Sequence, residues 1–260
     1  MRRLAASAAL LVLVLTACAR EAPRTALHEE GRRSRASTAL ERRLKNFEAA
    51  TGSLKALAWL RIDSPERTIN SDAAVVVERP DRIRVDVIDS LADVWASAGS
   101  DGQTMWLYVP GKRKLYEGRA TEAGISRLAS FGLSPSHLIS LLAGTPPVAA
   151  DEGIEEAGSG RDRHFIFASG GLRCWLENGE RGRVSRCEKP SDGGVDYEIS
   201  FSDYRRAGAV EFPHSIEARF PSRDSSLSIR YREVETGGRI DPASFDPPRA
   251  RAARTHRYRR

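Results

Sequence analysis

The apolar positions of this chain change period twice. Residues 4–15, Leu-Ala-Ala-Ser-Ala-Ala-Leu-Leu-Val-Leu-Val-Leu, form one uncharged run behind Arg2 and Arg3. Leu40, Leu44 and Phe47 then recur at helical spacing among Arg42, Arg43 and Lys45, which predicts an amphipathic helix over 38–50 with Ser37 or Thr38 as its cap. From Leu54 onward the period is two. Strands are predicted at 54–63, 73–78, 82–87, 94–98, 104–109 and 114–117. The clearest is 82–87, where Ile83, Val85 and Val87 alternate with Arg84 and Asp86, the mark of one buried and one wet face.

The middle of the chain interrupts this meander. Residues 121–128 read as a short helix. Residues 134–142 read as a better one, with Ser134 as cap, Pro135 at the first helical position, and Gly144 with Pro146-Pro147 as the stop. Strands resume at 164–168, 172–176, 184–188, 195–201, 212–220 and 227–231. His214 falls on an apolar strand face and reads as a hydrogen-bonded interior histidine.

The expected fold is mainly β (α+β), with about ten or eleven hairpin-connected strands and about three short helices. A sheet this wide with one apolar face curls or closes, and few helices are available to cover it. The expected architecture is therefore a curled, half-open antiparallel β-barrel capped by helices, with an apolar cavity; a packed β-sandwich without a cavity is the alternative. The candidate lining residues are Trp59, Val75, Val77, Ile83, Val85, Val87, Trp106, Tyr108, Tyr197, Ile199, Phe201, Ile216, Phe220 and Ile229. The other two tryptophans, Trp95 and Trp175, are also expected in the core or cavity wall.

The apolar run at 4–15 is too short to span a bilayer, which needs roughly 20 residues, and fits the core of an export signal. Leu15-Thr16-Ala17-Cys18 resembles the lipobox of bacterial lipoproteins. That resemblance makes 1–17 a signal peptide and Cys18 the lipidated first residue of the mature chain. It also implies a lipid-anchored protein facing the periplasm. Ala19 stands where the enterobacterial sorting rule has Asp for inner-membrane retention, so the expected destination is the outer membrane. Residues 18–37 read as a charged, lipidated tether, 38–248 as the folded domain, and 249–260 as a disordered Arg-rich tail.

Charge narrows the function classes. The chain has a formal net charge of +6. Residues 249–260 alone carry six arginines and no acid, and without them and the signal the remainder is slightly acidic. Basicity is thus a tail property, which opposes a nucleic-acid reading. An exported chain permits disulfides. Folding 172–188 about Glu180 and Arg181 sets Cys174 opposite Cys187, so a cross-strand bridge is expected, with free thiols as the alternative. The five histidines are scattered, no metal-ligand spacing occurs, and no Gly-x-Ser-x-Gly elbow is present. Neither an enzyme, a cofactor nor a metal is expected.

Several short motifs, in order, resemble the LolA/LolB-like lipoprotein-sorting proteins. They are Arg79-Pro80-Asp81-Arg82-Ile83-Arg84-Val85-Asp86-Val87, Asp101-Gly102, Leu107-Tyr108-Val109-Pro110, Leu141-Leu142-Ala143-Gly144, Phe201-Ser202-Asp203-Tyr204, Phe212-Pro213 and the closing 240–245. The resemblance implies a half-open barrel whose cavity takes acyl chains, acting as a monomer that accepts or inserts lipoproteins or lipids at the outer membrane. Its implied partners are acylated cargo and a periplasmic LolA-like carrier. The lipid anchor at Cys18 resembles the receptor rather than the free carrier. In the receptor, an apolar residue after the Arg-aliphatic-Asp strand protrudes and helps cargo enter the membrane. The matching residue is Leu91, flanked here by Ser90 and Ala92 where the family has Pro and Gly. Two other roles fit the same fold: a lipid-sensing regulator, and a structural envelope lipoprotein without a ligand.

Overall fold

The computed structural model describes residues 31–91, 93–121, 123–124, 131–148, 153–168, 170–177, 183–248 and 254–257. The signal peptide, Cys18, most of the tether, most of the helix expected at 121–128 and the turn at 178–182 lie outside the described residues.

The chain opens with α1 (Arg35–Ala50), which starts earlier than its apolar spacing suggests. Its cap is Ser34, not Ser37 or Thr38. The Ser37 amide donates to Ser34 Oγ (3.0 Å) and the Ser34 amide donates to Ser37 Oγ (2.9 Å), a reciprocal capping box. The end of the expected tether is thus part of the fold, and Arg32 also exchanges backbone hydrogen bonds with Glu156.

Six strands follow: β1 (Ser53–Ser64), β2 (Arg67–Glu78), β3 (Arg82–Ile88), β4 (Val94–Asp101), β5 (Thr104–Val109) and β6 (Lys114–Arg119). Helix α2 (Pro135–Leu142) then crosses the concave face; the His137 amide donates to its Ser134 cap at 3.2 Å. It stops where Gly144 takes φ +79°, a left-handed conformation suited to glycine. The second run comprises β7 (Ile154–Ala157), β8 (His164–Phe167), β9 (Leu172–Glu177), β10 (Arg183–Ser191), β11 (Gly194–Ala207), β12 (Val210–Phe220) and β13 (Ser225–Thr236). The short β14 (Arg254–Arg257) comes last.

All fourteen strands form one sheet, in the order β14-β6-β5-β4-β3-β2-β1-β13-β12-β11-β10-β9-β8-β7. Thirteen are antiparallel to their neighbours, and β14 runs parallel to β6. The two meanders join where β1 pairs with β13, Leu60 opposite Ile229. Register shifts at Leu57/Ala58, Val87/Ile88, Val184/Arg186 and Lys189/Pro190 each bend a strand, and together they help curl the sheet. It does not close: β7 and β14 are its edges. The structure corrects the sequence reading in two places: strands β7 and β14 were not expected, and residues 254–257 of the tail are a strand rather than disordered. No described helix is long and apolar enough to cross a membrane.

Both helices lie against the concave face. Leu40 and Leu44 of α1 are buried, and Phe47 stacks on Phe212 of β12 with ring centroids 6.2 Å apart. Ile139, Leu141 and Leu142 of α2 are buried in the same core. Arg79 ties the helices to the end of β2. Its guanidinium donates to Ser140 Oγ (3.1 Å) and Thr145 Oγ1 (2.7 Å) and lies 3.9 Å from Glu48 of α1. Burial pushes the Arg79 pKa down, with Glu48 opposing. Cys174 and Cys187 sit opposite each other on β9 and β10, buried, 4.1 Å apart at Cα and joined by a disulfide. His214 is buried, with its Nδ1 3.0 Å from the Phe212 carbonyl, to which it donates in that tautomer.

Candidate functional site

The concave face is not uniformly filled. On the β10–β13 side large side chains meet: Phe220 stacks on Phe131 (5.1 Å) and lies 6.0 Å from Tyr197, and Phe212 packs edge-on against Tyr231 (5.3 Å). Tyr231 also donates from its hydroxyl to the Leu142 carbonyl at 2.6 Å, pinning the end of α2. Burial pushes the phenol pKa of Tyr197 and Tyr231 up.

On the β2–β5 side the packing is open. The inward positions of β4 are Ala96, Ala98 and Ser100, opposite Val87, Val85 and Ile83 of β3. From Ala96 to Ser100 this strand carries only small side chains, so a cavity of about 210 Å³ remains beneath α2. Its floor is Leu60, Ile62, Ile69, Val75, Ile83, Val85, Val87, Met105, Leu107 and Val109. Phe131, Pro135, Leu138 and Leu142 form the roof, and Leu227 and Ile229 the far wall. Among the described residues, the single charged one lining it is Arg67. Burial rises along the cavity. Arg67 and Trp95 (40 % exposed) lie at one end, whereas Ile83, Met105 and Leu142 at the other are buried, so the mouth is at the Arg67–Trp95 end.

Five of the expected lining residues face this cavity: Val75, Ile83, Val85, Val87 and Ile229. The others do not, for three reasons. Val77, Tyr197, Ile199, Phe201, Ile216 and Phe220 point inward but are consumed in the packed core. Trp59 lies on the convex face beneath the Arg230 guanidinium, 5.1 Å from the ring centroid. Trp106 and Tyr108 occupy the opposite face of β5 from Met105 and Leu107. Trp106 is buried there because the turn Pro242–Phe245 folds over it: its Nε1 donates to the Phe245 carbonyl at 2.9 Å, and Arg84 stacks on the ring and donates to the Ser244 carbonyl. Of the other tryptophans, Trp95 is at the mouth and Trp175 lies on the convex face under Arg186. The missed lining residues are chiefly Ala96, Ala98, Leu107 and the roof. Their signal was the small-residue run Ala96-Ser97-Ala98-Gly99-Ser100 within a strand.

Beside the mouth, the β3–β4 loop presents Leu91 with 81 % of its surface exposed, next to Val94 at 39 %. The loop is held by Asp89, whose carboxylate accepts from the Leu91 and Asp93 amides at 2.9 and 3.0 Å. Leu91 is thus presented outward by a hydrogen-bonded turn. Among the described residues, no group of three His, Cys, Asp or Glu side chains could hold a metal.

No protein-family model matches the chain, and no curated protein matches it in sequence. Solved structures do match in shape. A LolA superfamily protein from Nitrosomonas europaea superposes with a TM-score of 0.53 at 12% identity, over 82% of this chain and 97% of that one. A DUF1329 family protein from Desulfovibrio piger gives 0.56 at 13% identity, over 83% and 98%. An outer-membrane lipoprotein-sorting protein domain from Vibrio parahaemolyticus gives 0.52 at 12% identity, over 81% and 97%. With its curled open sheet and helix-covered apolar cavity, the chain has a half-open barrel fold similar to that of the Nitrosomonas europaea LolA superfamily protein.

Proposed function

We propose that this protein is a lipid-anchored lipoprotein of the outer membrane, facing the periplasm, that takes acyl chains into its cavity and accepts or inserts lipoproteins or lipids. One observation carries the reading: an apolar cavity opens beside an outward-held Leu91. Aliphatic walls whose one charged lining residue, Arg67, stands at the mouth suit a hydrocarbon chain with a polar head left outside. The naming of the Vibrio structure for lipoprotein sorting supports the same direction. Cys18, triacylated, would hold the mouth near a bilayer, because more than one acyl chain gives stable anchoring. Leu91 would enter the lipid as the acyl chain leaves, so cargo need not cross water. The protein then acts by binding and release, with no catalytic step.

The test is transfer of a triacylated lipoprotein from a detergent-free carrier complex to vesicles bearing the anchored protein. Leu91→Glu is expected to leave binding of a fluorescent fatty acid unchanged while slowing transfer about fivefold, consistent with a cost of up to about 1 kcal/mol for placing a charge in the lipid interface. Equal transfer rates would remove Leu91 from the mechanism. Absence of any acyl binding would remove the reading altogether.

A further inference from the structure

The topology gives part of the arginine-rich C-terminus, residues 254–257, a definite place. Strand β14 runs parallel to β6, with Arg254 opposite Lys114. It therefore enters the sheet at the end where β6 begins, which is also where β5 ends at Val109, a residue of the cavity wall. The turn between them is Pro110-Gly111-Lys112-Arg113, and Lys112, Arg113 and Lys114 are all exposed. On the neighbouring strand, Ser97 pairs with Tyr108. Continuing that register by two residues sets the exposed Trp95 level with Pro110, beside this basic turn, with the exposed Val94 and Leu91 just before it in the chain. Acids stand at the same end as well, several already engaged: Asp63 pairs with Arg61, Asp72 with Arg232, Glu66 adjoins Arg67, Asp89 accepts from amides of its own loop, and Asp93 follows.

The geometry points to this end of the barrel as a docking surface for an anionic phospholipid bilayer. Leu91, Val94 and Trp95 form its apolar prong, and the exposed Lys112, Arg113 and Lys114 form a cationic rim. The two parts do different work. Apolar side chains and an indole partition into the interface, and the cations are drawn to anionic headgroups from within a Debye length. Docked this way, the mouth faces the lipid. The proposal rests on the acyl-chain reading for its purpose but not for its chemistry.

The experiment uses chain starting at residue 19, which carries no lipid and retains every described contact, since these begin at residue 31. Its binding is measured to vesicles of phosphatidylcholine alone and of phosphatidylcholine with phosphatidylglycerol. Binding is expected to favour the anionic vesicles and to weaken with salt. K112Q/K114Q is expected to cost roughly thirtyfold on anionic vesicles, at about fivefold per cation, and little on neutral ones. A chain ending at Pro248, which removes β14, is expected to lose affinity in the same vesicle-dependent way. Thermal unfolding checks that each variant is folded, and single K112Q or K114Q variants give the same readout should the double variant misfold. Equal affinity for neutral and anionic vesicles, or unchanged binding of both folded variants, overturns the proposal. Fluorescent fatty-acid uptake, measured in parallel, separates the two ideas. Its loss with vesicle binding retained defeats the acyl-chain reading alone, and its retention with vesicle binding lost defeats the docking surface alone.

Discussion

Filling the cavity from its own wall is the sharpest perturbation of the binding site. Ala98 projects from β4 between Val85 and Leu107 and borders the open space beneath α2. At about 30 Å³ per water-sized group, the cavity of about 210 Å³ holds roughly seven methylenes of an acyl chain. At about 0.8 kcal/mol per buried methylene, that is about 5–6 kcal/mol of binding, or about four decades in Kd. Ala98→Trp puts an indole into this space. Excluding even half of those methylenes costs roughly 3 kcal/mol, more than a hundredfold in Kd. The substitution fills a void rather than a packed core, so the overpacking cost of about 1–3 kcal/mol should be largely absent. The assay is displacement of a fluorescent fatty acid by saturated acids of increasing length, alongside urea unfolding. In the parent, affinity is expected to climb about fourfold per carbon until the cavity is full and then to flatten. In Ala98→Trp both the affinity and the climb should collapse at nearly unchanged stability. A folded Ala98→Trp protein with parental affinities would refute the assignment of the binding space.

Three further outcomes follow from the packing. Gly99→Ala places a Cβ 2.6 Å from the Trp106 ring and 2.9 Å from the Ile83 carbonyl, a backbone atom that cannot swing aside; urea unfolding should show a loss of about 1–3 kcal/mol, and a neutral effect would mean that the convex face is looser than described. Reduction of Cys174–Cys187, thirteen residues apart in sequence, should lower stability by about 3 kcal/mol, the value for a loop of this length, with identical melting in oxidised and reduced buffers as the contrary result. Burial pushes Tyr197, Tyr204 and Tyr231 above the ordinary phenol value of 10.0. The folded protein thus keeps protons that the unfolded chain releases. Their contribution is fully present below pH 10 and is lost as pH rises past it. Denaturation midpoints should fall steeply above pH 10 together with the appearance of tyrosinate absorbance, and a flat profile there would contradict the burial of these phenols.

The strands were legible wherever one face is wet. Ile83, Val85 and Val87 alternate with Arg84 and Asp86 because β3 has solvent and ion pairs on one side, and the sequence shows that division directly. The antiparallel cysteine hairpin was legible because its two strands bracket a turn-rich segment. Local periodicity could not reveal which inward residues face empty space. Phe220 and Val85 both point inward, but only long-range pairing shows that Phe220 meets Phe131 whereas Val85 faces the small side chains of β4. Trp106 was misplaced for a related reason. Its period assigns it to the opposite face from Met105, and only the remote turn 242–245 explains why a tryptophan there is buried. The start of α1 was hidden because its cap, Ser34, lies in a charged segment whose apolar signal begins only at Leu40.

The central claim, an acyl-chain site beneath α2, is tested most directly by mass spectrometry of organic extracts from the protein purified from an envelope without detergent exchange. The expected result is a stoichiometric lipid or acylated peptide in the parent and its absence from folded Ala98→Trp protein. A parent free of any acyl species that also fails to bind added fatty acid would contradict the claim.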